Sequence, residues 1–369
     1  MENNVVSSIR LEVHLTSSLI SWLEEGHLFD KNGGIISWHD PTSSSDPFIY
    51  NEITGYFLTT VSYLIKEKLI TEESPLYRQS LLATHWLKKS YNTELGGFIY
   101  RPDKKISYSF DNAIIAFGLI SFYKHSKDSA LLSFVIQVID DLITKWKNNS
   151  TLLCSRRGIS GECLDTAETW STSFGSFHTK LNLALIELYK ITNNKKYLGF
   201  SNLLTDEIIE SNFKEGTFSS YSIEGTHLHP LLYTLEGLFF KDISLGEQKY
   251  KSLVEQSMRW IISANGGKLF RSIYKDQINP HMRNDIYFQF LKLCELIREE
   301  NYCQLPSYNE QRYLKDVSLS LVNGKAYSFG SNSNGSTSNH LTSWVNFMAL
   351  QYFALKQSDS KINAIEFMV

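Results

Sequence analysis

Six stretches of the chain carry apolar residues at helical spacing, and each follows a loop rich in glycine, serine, aromatic and charged residues. These stretches begin near Asn51, Phe110, Phe177, His227, Arg283 and His340. Subtracting those numbers gives intervals of 59, 67, 50, 56 and 57 residues. A more polar amphipathic helix precedes each stretch, as over residues 14–25. The pattern predicts a repeat of helical hairpins.

The second helix of each hairpin is apolar on more sides than the first, so second helices are predicted to be buried between neighbours. Six such hairpins close into two concentric rings. The predicted fold is therefore all-α, an (α/α)6 toroid forming one domain over residues 1–369. Loops such as 96–99 and 266–270 predict a left-handed glycine after a helix, followed by a short β-like edge at the mouth. A linear solenoid is the alternative, although solenoids usually have shorter periods and polar capping repeats.

The composition is typical of a soluble globular protein, with 42% hydrophobic and 20% charged residues and a formal net charge of −3. No basic field favours nucleic acid or an anionic membrane. The N-terminus lacks the pattern of a signal peptide, and the longest apolar stretch, near 113–122, is shorter than the roughly 20 residues that span a bilayer. We therefore expect a cytoplasmic protein without membrane insertion. The four cysteines match no zinc spacing and are expected to be free thiols.

Inner helices of a toroid run parallel, so their N-termini and preceding loops gather at one mouth, where free N–H groups favour carboxylate or hydroxyl ligands. The catalytic candidates at these positions are Glu52, Asp111 and His229. The candidates for substrate binding are Trp38, Tyr50, Tyr108, Trp170, His178, Lys180, His227, Arg283, His340 and Trp344. Further polar residues at the same mouth are Arg101, Glu168, Tyr221, Glu224, Arg271 and Asp276. Most of the aromatic residues, 13% of the chain, are expected in the core, and some are expected to stack on sugar faces.

Two kinds of sugar chemistry fit these residues. Cleavage of a glycosidic bond needs a carboxylic acid of raised pKa and a second carboxylate, which Glu52 and Asp111 supply from adjacent inner helices. Proton transfer at a sugar carbon needs an acid and a base of suitable pKa, and His229 faces the carboxyl pair from a more distant helix. A structural alternative stays open, because first-turn acids cap helices and a histidine before a proline suits a turn. Two histidines without a third ligand give no metal site, so neither a metal nor another cofactor is predicted.

The order of short motifs resembles that of a known family. The segments that carry the resemblance are 51–57 (NEITGYF), 110–112 (FDN), 177–188 (FHTKLNLALIEL), 228–238 (LHPLLYTLEGL) and 343–345 (SWV). They resemble the YPExTGY, Phe-Asp-Thr, YNTRxAxALLEL, THTIAYTLRGLL and PNWxxKF motifs of six-hairpin proteins found with bacterial surface-polysaccharide biosynthesis. His178 and Lys180 stand where that family has Asn and Arg, and Ser343 stands where it has Asn. The resemblance covers most of the chain and implies a fold shared with glycoside hydrolases, uronyl hydrolases, polysaccharide lyases and sugar epimerases.

Three hypotheses follow. The first is an enzyme that acts on a glycan or uronate-containing sugar by hydrolysis, elimination or epimerisation, in surface-polysaccharide biosynthesis. The second is a non-catalytic glycan-binding or scaffold protein, which predicts a gap between Glu52 and Asp111 well beyond about 12 Å, larger than in glycosidases. The third is a histidine-based sugar epimerase or isomerase, in which His229 faces His340 or His178 across the cleft.

Overall fold

Helices alternate between an outer and an inner ring in the computed structural model, which describes residues 2–42, 47–101, 103–148, 151–166, 168–220, 225–275 and 277–358. Of residues 2–10 only the backbone is described, and the candidates Tyr221, Glu224 and Asp276 lie outside the described residues. The outer helices are α1 (Glu2–Glu24), α3 (Pro75–Ser90), α5 (Ser129–Lys145), α7 (Lys195–Asn212), α9 (Lys251–Ser263) and α11 (Glu310–Ser318). The inner helices are α2 (Asn51–Lys66), α4 (Ser109–Ser126), α6 (Asn182–Thr192), α8 (Leu228–Leu245), α10 (Asn284–Glu299) and α12 (Ser343–Gln357).

The inner ring is closed. Each inner helix packs against the next, and α12 packs against α2. Burial distinguishes the rings, because α2 is buried continuously from Glu52 to Leu64 whereas α3 buries one face. The predicted (α/α)6 toroid is therefore confirmed. No helix within the described ranges is long and apolar enough to cross a membrane.

Short antiparallel strands lie in the loops between the helices. They are β1 (Trp38–His39), β2 (Tyr91–Asn92), β3 (Gly97–Phe98), β4 (Ile106–Tyr108), β5 (Arg156–Gly158), β6 (Phe213–Lys214), β7 (Thr217–Phe218), β8 (Gly225–His227), β9 (Ser272–Tyr274), β10 (Gln277–Asn279), β11 (Leu321–Val322), β12 (Ala326–Tyr327), β13 (Gly330–Ser331), β14 (Thr337–Ser338) and β15 (Leu341–Thr342). Strands β4, β8 and β15 lead directly into α4, α8 and α12, and they pair with β5, β9 and β1. The β1–β15 pair, in which Trp38 is opposite Thr342, joins the first and last hairpins at the mouth. The predicted β-like edges are confirmed.

The third inner helix begins differently from the sequence prediction. The apolar pattern predicts a continuous helix from Phe177, but a 3₁₀ helix covers Ser176–Leu181 before α6 starts. Helix α8 approaches this turn closely: a Cβ atom built on Gly237 would lie 2.3 Å from the Thr179 carbonyl oxygen. The Thr179 hydroxyl also donates to the Thr234 carbonyl at 3.0 Å. Contact with α8 therefore fixes the tighter turn.

The cysteines divide into one disulfide and two free thiols. Cys154 and Cys163 form a disulfide with a Cα–Cα distance of 5.8 Å, so the prediction of free thiols is wrong for this pair. It holds for Cys294 and Cys303. The disulfide lies between α5 and α6, in a part of the chain where the nine-residue spacing alone gives no geometric signal.

Two glycines set the distance between α2 and α4. A Cβ atom built on Gly118 would lie 2.2 Å from the Gly55 carbonyl oxygen, and one on Gly55 would lie 2.8 Å from the Cα atom of Ile115. Any side chain at either position would force the helices apart. Because Glu52 and Asp111 lie in the first turns of these helices, this close packing brings their side chains to the same part of the mouth.

Candidate active site

Two adjoining cavities occupy the mouth of the toroid. The inner cavity, of about 220 Å³, is lined by Tyr50, Glu52, Ile53, Tyr56, Tyr100, Tyr108, Phe110, Asp111, Trp170, Ser171, Phe177, His229, Tyr233, Arg283 and Trp344. The outer cavity, of about 320 Å³, is lined by Glu168, Thr169, Trp170, His227, His229, Pro230, Arg271, Arg283, Ile286 and Ser333. Trp170, His229 and Arg283 line both, so the two cavities form one cleft.

Inner helices begin at this cleft without side-chain caps. The residues before α2, α4, α8 and α10 are Tyr50, Tyr108, His227 and Arg283, and none of their side chains accepts a hydrogen bond from the helix. Outer helices α3, α5, α7 and α11 instead have Ser, Asp or Asn caps that accept from the first turn. Capping residues stabilise a helix by about 1 kcal/mol. At the mouth, tyrosine, histidine and arginine side chains that line the cleft occupy the capping positions instead.

Glu52 and Asp111 form a pair of buried carboxyl groups around the Tyr50 hydroxyl. Burial raises the pKa of Glu52 to about 7, against hydrogen bonds from Tyr50 and Tyr56 that lower it. Burial and the neighbouring Glu52 raise the pKa of Asp111 well above its ordinary value, and Tyr50 again opposes the shift. Tyr50 thus lowers the pKa of both carboxyl groups, and all three residues line the inner cavity. Near neutral pH Glu52 is therefore partly protonated, which allows it to donate a proton.

Tyrosines extend this pair across the toroid. The Tyr56 hydroxyl bonds to the Tyr233 hydroxyl at 2.7 Å and also lowers the pKa of Glu52 through a hydrogen bond. The imidazole of His229 packs against the Tyr233 ring, with ring centroids 4.4 Å apart. Helices α2 and α8 are separated by three steps in either direction around the six-membered inner ring. Glu52 and His229 therefore face the cavity from opposite sides.

A chain of hydrogen bonds determines which nitrogen of His229 carries a proton. The Lys180 ammonium pairs with Glu236 at 2.6 Å, and the Gln289 amide nitrogen donates to the same carboxylate at 3.1 Å. The Gln289 amide oxygen is thus left to accept from His229 Nδ1, 2.8 Å away. Burial lowers the pKa of His229 to about 3, so the ring is neutral. Nδ1 then holds the only ring proton, and Nε2 has a free lone pair.

Asp285 positions two other lining residues. Its carboxylate accepts from Arg283 Nε at 3.1 Å and from Arg283 Nη2, and from Trp344 Nε1 at 2.9 Å. Burial alone would raise the pKa of Asp285, but the charge of Arg283 and the hydrogen bonds from Arg283 and Trp344 hold it below its ordinary value. The guanidinium and the indole are therefore fixed against the cleft.

Nine of the thirteen predicted site residues line the cleft: Glu52, Asp111, His229, Tyr50, Tyr108, Trp170, His227, Arg283 and Trp344. The other four lie elsewhere. Trp38 stacks on His340 with centroids 5.1 Å apart, beside the β1–β15 pair, and Asp40 lies 3.5 Å from His340 Nε2. Trp38 and His340 lie outside both cavities because the β1–β15 pair holds them where the first and last hairpins of the ring meet.

His178 and Lys180 lie in the core under the mouth. His178 Nε2 is 3.0 Å from the Ser109 hydroxyl, and burial lowers the pKa of the ring to about 3. Lys180 points toward Glu236, and burial lowers its pKa. The 3₁₀ turn, which differs from the predicted helix, directs both side chains away from the cleft. Arg101, a further candidate, pairs with Asp103 at 2.9 Å on an exposed loop.

Several lining and supporting residues are absent from the set predicted by sequence. The most informative are Tyr56, Tyr233 and Gln289. Each lies four residues after a polar first-turn residue, namely Glu52, His229 and Asp285. Residues at i and i+4 share one face of a helix, so this spacing is a signal that the sequence does contain. Among the described residues no group of three or more His, Cys, Asp or Glu side chains is arranged to hold a metal ion.

Comparisons with known proteins define the fold. No protein-family model matches the chain, and no curated protein sequence matches it. Among solved structures it is similar to cellobiose 2-epimerase from Bacillus thermoamylovorans B4167, with a TM-score of 0.75 and 14% identity over 96% of this chain and 100% of that one. A D-mannose isomerase gives a TM-score of 0.70 with 14% identity, over 94% of this chain and 97% of that one.

An unsaturated glucuronyl hydrolase specific for heparin gives a TM-score of 0.67 with 12% identity, over 97% of this chain and 99% of that one. The three enzymes differ in reaction but share the helical toroid. At these identities the likeness establishes the (α/α)6 fold alone, and the chemistry has to be argued from the cleft.

Proposed function

We propose that the protein is a carbohydrate-active enzyme that transfers a proton at the carbon next to the carbonyl group of a reducing sugar, giving epimerisation or aldose–ketose isomerisation. The observation that carries this proposal is the Lys180–Glu236–Gln289–His229 chain. It leaves a neutral imidazole with its Nε2 lone pair available as a base in a cavity that also holds two carboxyl groups whose pKa values are raised. The structural likeness to a cellobiose 2-epimerase and a mannose isomerase supports the same class of reaction.

In the proposed reaction His229 Nε2 removes the proton from C2 of the open-chain aldose. The electron pair of the broken C–H bond forms a C1–C2 double bond, and the carbonyl oxygen takes a proton from the carboxyl pair of Glu52 and Asp111. Protonation of C2 on the opposite face by the other carboxyl group, while the O1 proton returns to the carboxylate that supplied it, gives the epimer; the proton on His229 then passes to water and the carboxylate regains one from water. Transfer of the His229 proton to C1, while the C2 hydroxyl gives its proton to the carboxylate, gives the ketose. Because Glu52 and His229 lie on opposite sides of the cavity, the carboxyl pair is placed to supply the second face.

Deuterium exchange tests the reaction class whichever product is formed. Reducing mono- and disaccharides incubated with the enzyme in D₂O are expected to acquire deuterium at C2 of the aldose, or at C1 of the ketose where that is the product, detected by loss of the corresponding signal in proton NMR. Exchange accompanies turnover whenever the abstracted proton mixes with solvent before a proton is returned, even when the net conversion is small. Absence of both deuterium incorporation and any epimer or ketose product across a panel of reducing hexoses and their disaccharides would overturn the proposal.

Glycoside hydrolysis by Glu52 and Asp111 is the second candidate. It is favoured by the position of the two carboxyl groups, which lie in the first turns of the closely packed helices α2 and α4 and line the same cavity. This proximity also counts against a non-catalytic scaffold. Hydrolysis predicts new reducing ends from glycosides and no deuterium at C2, so the same incubation separates the two reactions. A role in surface-polysaccharide biosynthesis stays a prediction from the sequence resemblance.

A further inference from the structure

The outer cavity carries positive charge that the proposed proton transfer does not use. Arg271 and Arg283 both line it, together with His227. Burial, and then the charges of the two arginines, lower the pKa of His227 to about 4. The carboxylate of Glu168 is in the lining too, on an exposed side chain.

Arg271 is held in place by three segments of the mouth. Its backbone N–H donates to the Asn279 carbonyl at 2.9 Å, and its own carbonyl accepts from Leu228 N at 3.0 Å. One guanidinium nitrogen, Nη1, donates to the Ser331 carbonyl at 3.0 Å. Strand β10, helix α8 and strand β13 thus fix a half-buried guanidinium beside the cleft.

The two arginines differ in their ionic partners. Arg283 is neutralised by the buried carboxylate of Asp285. Arg271 forms no salt bridge with a carboxylate within the described ranges, although a guanidinium has five N–H donors and only one is engaged at Ser331. A planar fork of this kind binds carboxylate, sulfate or phosphate oxygens in pairs.

The size of the cleft indicates how an anion reaches Arg271. The inner cavity, at about 220 Å³, is smaller than the roughly 300–1,000 Å³ typical of ligand sites. The outer cavity adds about 320 Å³ across the shared wall of Trp170, His229 and Arg283. A ligand that places its reacting carbon at His229 and is too large for the inner cavity can therefore extend past Trp170 into the outer cavity, which Arg271 lines.

We propose that the substrate is an acidic saccharide of at least two units. Its reducing unit enters the inner cavity, and the anionic group of the next unit, a carboxylate, sulfate or phosphate, binds Arg271 in the outer cavity. This inference rests on the proposed function for the orientation of the sugar, but the anion site can be tested by binding alone.

Three disaccharides that differ at one position provide the test: cellobiose, its uronate analogue 4-O-glucuronosyl-glucose, and cellobiose 6′-phosphate. Isothermal titration of the full-length protein at low ionic strength is expected to give at least about tenfold tighter binding for an anionic member than for cellobiose, since a charge-assisted hydrogen bond contributes about 1.5–3 kcal/mol. Whichever anionic member binds more tightly identifies a uronate or a phosphate as the preferred group.

Arg271→Gln is expected to reduce the affinity for the anionic disaccharide to that for cellobiose, and Arg271→Lys, which keeps the charge but loses the fork, should give an intermediate value. Arg259→Gln is the matched control, because Arg259 is exposed on outer helix α9 and pairs with Glu255. Thermal unfolding of each variant checks that the fold is retained.

Equal affinity for all three disaccharides, or an unchanged preference in Arg271→Gln, would overturn the inference. These outcomes are distinct from failure of the proposed function. A protein that exchanges deuterium into cellobiose without preferring anions retains the function and loses the acidic substrate. One that binds anionic sugars through Arg271 but exchanges no deuterium retains the site and loses the reaction.

Discussion

Glu52 is the residue where stability and chemistry conflict most directly. Its first-turn position suits a helix cap, yet its hydrogen-bond partners are the Tyr50 and Tyr56 hydroxyls, and burial raises its pKa to about 7. A carboxyl group with a raised pKa in the folded state destabilises the protein when it ionises. The stability it contributes is fully present below the unfolded pKa of about 4.3 and is lost as the pH rises through about 7.

Glu52→Gln should therefore separate the two roles. We expect the variant to lose activity by roughly 10²–10⁴-fold, since a general acid is removed. In the wild type, kcat/KM should fall as the pH rises through about 7, because the acid loses its proton. The melting temperature of the variant should be nearly that of the wild type at pH 5, and equal or higher at pH 8. A large loss of stability at both pH values, with activity retained, would identify Glu52 as a structural residue.

At the scale of elements, the contact between α2 and α4 decides where the carboxyl groups meet. Gly118→Ala would place a methyl group 2.2 Å from the Gly55 carbonyl oxygen. We expect a destabilisation of about 1–3 kcal/mol from overpacking, with a loss of activity because Asp111 moves with its helix. Chemical denaturation and the deuterium-exchange rate measure the two effects.

Gly199→Ala is the matched control. Gly199 lies in outer helix α7, and a Cβ atom built there meets nothing within 4 Å. Alanine is the better helix former by about 1 kcal/mol, so this variant should be slightly more stable and fully active. If both substitutions behaved alike, the close approach of α2 and α4 would not determine the geometry of the site.

The apolar pattern of the sequence predicts the elements of the inner ring well. Five of the six inner helices begin within three residues of the predicted positions, because buried helices of similar period have a strong apolar pattern. The start of α6 is not predictable in the same way, since the 3₁₀ turn results from contact with Gly237 of a different helix. The pattern consequently assigns His178 and Lys180 to the mouth, whereas the structure places them in the core.

At the scale of the whole molecule, the axis of the toroid contains a buried cluster of charges beneath the cleft. Glu236 of α8 pairs with Lys180 at 2.6 Å and lies 3.8 Å from Lys292 of α10, which in turn donates to Gln351 of α12 at 3.1 Å. Burial lowers the pKa of Lys292 to about 7. Such long-range partners cannot be derived from spacing, because they are more than 50 residues apart in sequence.

Glu236→Gln should destabilise the fold by about 3–5 kcal/mol, because it removes the carboxylate that pairs with the buried Lys180 ammonium and lies beside Lys292. Urea denaturation near neutral pH measures this loss. Glu255→Gln removes a surface partner of Arg259 on one outer helix and should change stability by no more than about 0.5 kcal/mol. Similar values for the two variants would mean that the axial cluster does not hold the inner ring together.

The central claim, proton transfer by a neutral His229, is tested most directly by deuterium exchange at C2 in His229→Asn. Asparagine places an amide nitrogen where Nδ1 meets Gln289, so the supporting hydrogen bond is retained while the Nε2 base is removed. His85→Asn, on the exposed face of outer helix α3, is the control. We predict that exchange in His229→Asn falls by roughly 10²–10⁴-fold and that the control is unchanged. Exchange at the wild-type rate in a folded His229→Asn protein would contradict the account.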